Sequence, residues 1–327
     1  MPENTQLTRA RALFQSPTRQ RGRSTPTPTN CEEPGNPDWH EPTHAHLRPR
    51  TTPANRLHIG LFSASQSMLP FFWNTTPMDA QNTPVPPEVE WNINDVSSDT
   101  RQGDWIRDDI RNIDGTVGCF VPPIFRAYSR VYHPAMVVTS TNDGDTESTL
   151  SWREAATKTG AVAHPCMEWN SIISVGNLST EHNQRIEEPM VGELPERETG
   201  LLCDLLAKHT LTPSVCWFGF WTGRGFEGFS LSTPRLDLPG RDYFLFQGSA
   251  YSAIITLQGF GPNIWWPQDK AWFVATDIDL QSTYVGGSEN CIEDILAADG
   301  LETSRASERQ SVTWDSDTIN LPPHRSR

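Results

Sequence analysis

Lysine is scarce in this sequence, and long apolar runs are missing altogether. Only three lysines, Lys158, Lys208 and Lys270, accompany 23 arginines. No segment approaches eighteen consecutive apolar residues, so we predict no membrane-spanning helix. The first residues also lack the charged start and apolar run of a secretory signal. We therefore expect a cytoplasmic protein that does not bind membranes.

Closely spaced cysteine pairs are a second absence. The six cysteines lie at positions 31, 119, 166, 203, 216 and 291, and no two of them form a C-x-x-C motif. A zinc site or a disulfide scaffold is built from paired or regularly spaced cysteines. The sequence therefore indicates neither. We predict no cofactor, with a divalent metal held by carboxylates as the alternative.

The first 90 residues differ in composition from the rest of the chain. They hold 14 of the 27 prolines, together with much Thr, Ser and Asn, and show little hydrophobic periodicity. Such a segment buries too little apolar surface to offset the entropy lost on folding. We predict a disordered tail over 1–90, or a mis-assigned start with Met68 or Met78 as the true first residue, and a single domain over 95–320.

Charge divides the chain in the same way. Positions 1–56 hold eight Arg and five acidic residues, and the remainder holds 18 basic and 35 acidic residues. An acidic domain repels phosphate backbones, so we predict that it does not bind nucleic acid. The same charge favours a basic partner.

Helix and strand patterns are interspersed along the domain. Helical spacing and capping signals mark 104–113, 152–159, 195–209 and 289–298, with Ser151 and Ser288 as N-caps. Strand-like runs include "VCWFGFW", "FSLST", "RDYFLF" and "KAWFVATDIDL", with "SAYSAIITL" as a further helical candidate. Adjacent hairpin-like strands favour an α+β fold with a mainly antiparallel sheet and flanking helices over a parallel sheet.

Two glycine-rich segments are candidate anion sites. The stretch "WTGRGFEG", 221–228, spells G-x-G-x-x-G after a strand, but two prolines and an alternating pattern follow it where a dinucleotide site needs a helix. We interpret it as a β-hairpin turn. Gly286, Gly287 and Ser288 lie between a strand and a helix, which is a better position for an anion, although helix capping explains the same residues.

Carboxylates and tryptophans supply the other candidates. Asp277 and Asp279 in "ATDIDL" should share one face of a strand, and Asp315 and Asp317 could complete a four-carboxylate site for Mg²⁺ or Ca²⁺. Twelve tryptophans are a large number for this length. We predict that most are core residues and that Trp221, Trp265 and Trp266 border a ligand groove, with "PNIWWPQDKAW" as an exposed loop.

Several motifs together resemble those of an uncharacterised family of actinobacterial hypothetical proteins. They are "VPPIFRAYSRVYHPA", "WREAA", "VAHPCMEW", "CWFGFW", "PNIWWPQDKAWFVATDIDLQSTYVGGSENCIEDIL" and "TWDSDTIN", in this order over 116–320. The resemblance implies one cytosolic domain, and it implies no activity or catalytic residue.

Two functions compete at this point. The first is a non-catalytic module that binds a protein or a small ligand through an acidic, Trp-rich surface. The second is a metal-dependent enzyme built on Asp277, Asp279, Asp315 and Asp317. Convergence of those four carboxylates in a cleft would favour the enzyme, and dispersal would favour the module.

Overall fold

A computed structural model describes residues 90–110, 114–178 and 180–321 of the chain. The tail predicted over 1–90 therefore lies, except for its last residue, outside the described residues. The described part forms a single α+β unit dominated by an antiparallel sheet, which confirms the predicted fold class. None of its helices is long and apolar enough to cross a membrane.

The main sheet has eight strands, and every neighbouring pair in it is antiparallel. In spatial order they are β11 (Thr303–Ala306), β1 (Ala127–Tyr132), β10 (Ser282–Gly287), β9 (Phe273–Ala275), β8 (Ile264–Pro267), β5 (Cys216–Trp221), β7 (Arg241–Gly248) and β6 (Leu236–Leu238). A smaller sheet joins β3 (Gly144–Leu150), β2 (Ala135–Thr141) and β4 (Gln184–Glu187), also antiparallel.

Helices cover both faces of the main sheet. In chain order they are α1 (Asp104–Asp109), α2 (Trp152–Thr159), α3 (Trp169–Val175), α4 (Glu196–Leu206) and α5 (Glu289–Leu296). The apolar residues of α4 and α5 pack with one face of the sheet, and α1 packs with the other. Because both faces are covered, central strands such as β5 and β8 are buried almost throughout, without the alternation of a half-exposed strand.

The capping signals in the sequence describe the helix ends correctly. Ser151 accepts a hydrogen bond from the amide of Glu154, whose carboxylate accepts from the amide of Ser151 in return. Ser288 caps α5, because its hydroxyl accepts a hydrogen bond from the amide of Cys291. Helix α1 ends at Asp109, because Ile110 is already extended, and the predicted continuation over 111–113 lies outside the described residues.

One predicted strand is wrong and another is too long. "FSLST" forms turns and irregular backbone, and the run "KAWFVATDIDL" is a strand only over Phe273–Ala275. The candidate helix in "SAYSAIITL" is a short 3-10 helix, Ala250–Ile254.

Candidate functional site

Asp277 and Asp279 lie in a turn after β9, not on a strand as predicted. Two hydrogen bonds hold this turn. The side-chain carboxylate of Asp277 accepts from the amide of Asp279, at 3.2 Å, and the main-chain carbonyl of Asp277 accepts from the amide of Leu280. The Asp277 side chain is only 1% exposed and receives two hydrogen bonds from the guanidinium of Arg241, each 3.2 Å long. The Asp279 carboxylate lies 3.6 Å from the same guanidinium.

Arg241 also connects this pair to one of the predicted tryptophans. Its guanidinium carbon lies 5.4 Å from the ring centre of Trp221, on the half-buried edge of β5. The structure therefore brings together Asp277, Asp279 and Trp221 around one cation. That cation occupies the place in which a carboxylate pair would hold a metal, so this cluster is an ion-pair network.

Asp315 and Asp317 belong to other surroundings. Asp315 is exposed and accepts a hydrogen bond from the hydroxyl of Thr313, at 2.7 Å. Asp317 is buried, and one of its carboxylate oxygens lies 2.9 Å from Nε2 of His164. Burial alone would raise the pKa of Asp317, but hydrogen bonds from His164 and Asn320 outweigh it and lower the pKa to about 2.

The convergence of the four carboxylates that would favour the enzyme alternative is not observed among the described residues. Within 90–110, 114–178 and 180–321, no group of three or more His, Cys, Asp or Glu side chains is arranged to hold a metal ion. Asp277 and Asp279 share Arg241, whereas Asp317 pairs with His164 and Asp315 faces solvent.

Trp265 and Trp266 are both buried, at 3% and 1% exposure, so the prediction of an exposed loop is wrong. They are consecutive residues of β8, and side chains alternate between the faces of a strand. Trp265 packs against Phe218 and Trp272 on one face, and Trp266 packs against Phe273 and Trp105 on the other. Both are hidden because both faces of the sheet are covered.

The stretch "WTGRGFEG" does not precede a helix that could hold a pyrophosphate. It forms a single 3-10 turn, Thr222–Arg224, and then irregular backbone up to β6. The predicted tight hairpin is therefore also wrong, since β5 pairs with β7 and the connection between them is long enough to contain β6. Gly225 and Gly228 have φ values of +73° and +81°, which glycine adopts without strain.

Gly286, Gly287 and Ser288 have structural explanations of their own. A Cβ atom on Gly286 would lie 2.5 Å from the ring of Phe125, so close packing requires glycine there. Ser288 already occupies the end of α5 as its cap, and Glu289 in the first turn pairs with Arg305 at 2.8 Å. Anion binding at these residues stays a prediction.

The described residues enclose a different candidate site, an open pocket of about 160 Å³ beside the amino-terminal end of α4. Its apolar walls are Met190, Leu194, Ala253, Ile254, Pro262 and Trp265. Of the three tryptophans predicted to bind a ligand, Trp265 lines this pocket. A dry cavity of roughly 150 Å³ is large enough for a benzene molecule, so the pocket can hold a group of that size.

The polar lining consists of two carboxylates and three threonines: Glu193, Glu196, Thr199, Thr256 and Thr276. Burial raises the pKa of Glu193, and the neighbouring Arg224 opposes that shift. Among the described residues that line the pocket, none is Lys, Arg or His. The lining therefore combines apolar side chains with threonine hydroxyls and two acidic groups.

Arg224 gives the glycine-rich stretch a role at this pocket. Its guanidinium lies 3.2 Å from the Glu193 carboxylate, donates to the carbonyl of Gly192 and stacks 4.2 Å from the ring centre of Phe260. Gly192 itself has φ of +78°, and a Cβ atom there would lie 2.8 Å from the carbonyl oxygen of Ile278. Arg224 and Gly192 together fix the segment that carries Met190 and Glu193.

Sequence reasoning did not find Glu193, Thr199 or Thr276. The pocket is assembled from segments around 190–199, 253–256, 261–265 and 276, which meet only through the order of the strands. None of these segments has a recognisable motif by itself. The one usable signal was the dense tryptophan content around 265.

Comparisons with protein-family models, with curated proteins and with solved structures give no significant match to this chain. The resemblance to an actinobacterial family therefore stays a prediction.

Proposed function

We propose that the protein is a cytoplasmic, non-catalytic binding module and that its ligand site is the pocket beside α4. One observation carries the proposal: the described residues form an open pocket of about 160 Å³, with a mixed apolar and polar lining that includes one of the tryptophans singled out in the sequence. Binding sites for small molecules and for single side chains are concave and mostly apolar, with a few placed polar groups.

The surroundings of the pocket support a binding role. Met190 and Ile254, which line it, are 49% and 46% exposed, and the adjacent Val191 is 49% exposed. Apolar side chains that are grouped at the surface around a cavity mark interaction sites more often than isolated ones do. We propose that this rim contacts the body of a ligand or partner while one group enters the pocket.

Benzyl alcohol is a suitable first probe, since it is neutral and its ring matches the pocket volume. A ligand of this size with ordinary efficiency per atom binds with a Kd of roughly millimolar strength. We expect it to shift the Trp265 indole resonance in ¹H–¹⁵N spectra of the full chain. The variant Thr256→Trp, which fills the pocket, should abolish the shift.

The matched control is Leu211→Trp, because Leu211 is 94% exposed and does not line the pocket. It adds the same indole at the surface and should leave binding unchanged. If benzyl alcohol perturbs Trp265 equally in both variants, or perturbs no pocket residue in the unmodified protein, the proposal is wrong.

A further inference from the structure

A chain of hydrogen bonds runs from the buried His133 to the pocket. Nδ1 of His133 lies 2.6 Å from the carbonyl oxygen of Met190, and Nε2 lies 2.9 Å from the hydroxyl of Thr283. The Thr283 hydroxyl in turn lies 2.7 Å from the hydroxyl of Thr276, which lines the pocket. The three side chains that these hydrogen bonds connect, His133, Thr283 and Thr276, are all buried.

The direction of each hydrogen bond in this chain is determined. A carbonyl oxygen only accepts, so Nδ1 of His133 carries the hydrogen. Burial lowers the pKa of His133 to about 4, so the ring is neutral near pH 7 and its Nε2 accepts. The single hydroxyl hydrogen of Thr283 is therefore given to His133. Thr283 must then accept from Thr276.

This order leaves Thr276 with no hydrogen to donate to a ligand. A threonine hydroxyl has one hydrogen and two acceptor lone pairs. Because the hydrogen of Thr276 points to Thr283, its oxygen has only acceptor capacity left. Thr199 is in the same situation, since its hydroxyl donates to the carbonyls of Leu194 and Pro195, at 3.1 and 3.0 Å. Of the three threonines that line the pocket, Thr276 and Thr199 therefore have no hydroxyl hydrogen left to give to a ligand.

The charged groups of the lining also favour a ligand that donates hydrogen bonds and has a positive charge. Glu193 and Glu196 are the charged residues of the lining; Glu193 already forms an ion pair with Arg224 at 3.2 Å, and Glu196 contributes a further negative charge. The amino-terminal end of α4 contributes the opposite sign, equivalent to about half a positive charge. Its first turn already contains Glu196, whose full negative charge exceeds that partial charge, and Glu198, which pairs with Arg197 at 2.7 Å.

From these observations we infer that the pocket beside α4 binds an ammonium group attached to an apolar stem. This inference rests on the proposed binding function and adds the chemical class of the ligand. An ammonium supplies donors to Thr199 and Thr276 and a positive charge to Glu196, while the apolar stem contacts Trp265 and Met190. The stem and charge are those of a small arylalkyl or alkyl amine and also those of a lysine side chain.

Three probes of nearly equal shape test the inference: benzylammonium, benzyl alcohol and benzoate. We expect benzylammonium to bind the full chain about tenfold or more tightly than benzyl alcohol, the range of a hydrogen bond to a charged group, and benzoate to bind most weakly. Equal binding of benzylammonium and benzoate, or tighter binding of benzoate at the end of α4, would overturn it. If benzyl alcohol binds in that case, the proposed function stands without the ligand class.

Three variants test the series of hydrogen bonds itself. Thr276→Val removes the acceptor and should reduce the preference for benzylammonium over benzyl alcohol to within about threefold, less than one ordinary hydrogen bond supplies. Thr283→Val, which does not line the pocket, frees the hydrogen of Thr276 and should improve benzoate binding relative to the unmodified protein. Thr283→Ser keeps the hydroxyl and should keep the wild-type order of affinities for the three probes.

Thr149→Val is the matched control, because Thr149 is exposed on β3 and does not line the pocket. It should leave all three affinities unchanged. Thermal melts of each variant separate loss of folding from loss of preference. If folded Thr276→Val and Thr283→Val kept the wild-type preference for benzylammonium over the other two probes, the inferred direction of the hydrogen bonds would be wrong.

The source of the ammonium is resolved by a further pair of probes. Nα-acetyl-lysine-N-methylamide presents the ammonium as a peptide side chain does, and its Nε-acetylated form has the same backbone without the charge. Binding of the first and not the second would identify a lysine of a partner protein as an occupant. Binding of benzylammonium alone would identify a small amine.

Discussion

His133 is joined to Met190 by a hydrogen bond of 2.6 Å between its Nδ1 atom and the main-chain oxygen, and the imidazole is fully buried. This contact attaches one wall of the pocket to the end of β1. Burial lowers the pKa of His133 from its ordinary value of 6.5 to about 4. Stability should therefore depend on pH through this residue.

The sign follows from the two protonation states. Below pH 6.5 the unfolded chain binds a proton at His133, but the folded protein does not bind it until about pH 4. The free energy of unfolding should thus fall as the pH falls through this window, by up to about 3 kcal/mol. In His133→Gln this pH dependence of the free energy of unfolding should disappear. The free energies are obtained from urea unfolding curves measured at several pH values between 4 and 7.5. His182→Gln, at an exposed position, should keep the wild-type slope, and equal slopes in all three proteins would contradict the prediction.

Replacing Asp277 with Asn should destabilise the protein strongly. The substitution keeps the size of the side chain but leaves the guanidinium of Arg241, 11% exposed, without its closest counter-charge. Breaking one partner of a buried ion pair costs about 3 kcal/mol or more. Urea unfolding followed by tryptophan fluorescence should show this loss.

Asp279→Asn is the matched control, because Asp279 is 24% exposed and more distant, 3.6 Å, from Arg241. Its cost should stay below about 1 kcal/mol. The same proteins test the metal-dependent alternative. If Mg²⁺ or Ca²⁺ raised the Tm of the wild type and Asp277→Asn removed that increase, the ion-pair interpretation would be wrong.

Asp237 and Asp242 face each other across β6 and β7, and this arrangement predicts a stabilising substitution. Burial raises the pKa of Asp242, and the facing carboxylate of Asp237 raises it further. Like charges directly opposite each other in a sheet are unfavourable, so Asp242→Asn should increase the free energy of unfolding at pH 7.5 by about 0.5 kcal/mol.

The pH dependence of that gain distinguishes charge repulsion from other effects. A raised pKa means that the folded state of the wild type loses relative stability as the pH rises through it. The advantage of Asp242→Asn should therefore shrink as the pH is lowered toward 4. Asp145→Asn is the opposite control, since Asp145 faces Arg185 at 3.0 Å and its substitution should not stabilise. A gain that is constant with pH would exclude repulsion as its cause.

Helix ends and the antiparallel fold class were predictable because their signals are local. Ser151 with Glu154, and Ser288 ahead of α5, specify caps within four residues of sequence. The smaller sheet was not predicted, because β3 has six exposed residues of seven and its sequence, "GDTESTL", has no apolar pattern to indicate a strand. Its position is determined by pairing with β2.

The tryptophans and the pocket show why the site was harder to predict than the fold. Whether Trp265 and Trp266 are exposed depends on what covers each face of β8, which is decided by α1 and α4 far away in sequence. The same holds for Thr276, whose role depends on Thr283 and His133. Long-range strand order sets these relationships, and no single segment encodes them.

The glycines of "WTGRGFEG" allow a last prediction, which separates backbone conformation from ligand binding. Gly225 has φ of +73°, and a Cβ atom added there would meet no other atom within 4 Å, so only backbone strain opposes a side chain. Gly225→Ala should therefore lower the free energy of unfolding by about 1 kcal/mol. Gly225→Asn should cost less, because Asn tolerates the left-handed region better than Ala.

Nucleotide addition provides the complementary measurement. A dinucleotide fingerprint needs a helix after its glycines, and irregular backbone follows Gly228 instead. NAD and ATP should therefore leave the Tm of the wild type unchanged, and Gly225→Ala should change stability equally with and without them. A Tm increase with NAD that Gly225→Ala abolishes would show that these glycines hold a phosphate after all. Within this stretch the contact that reaches the pocket is the ion pair of Arg224 with Glu193, at 3.2 Å.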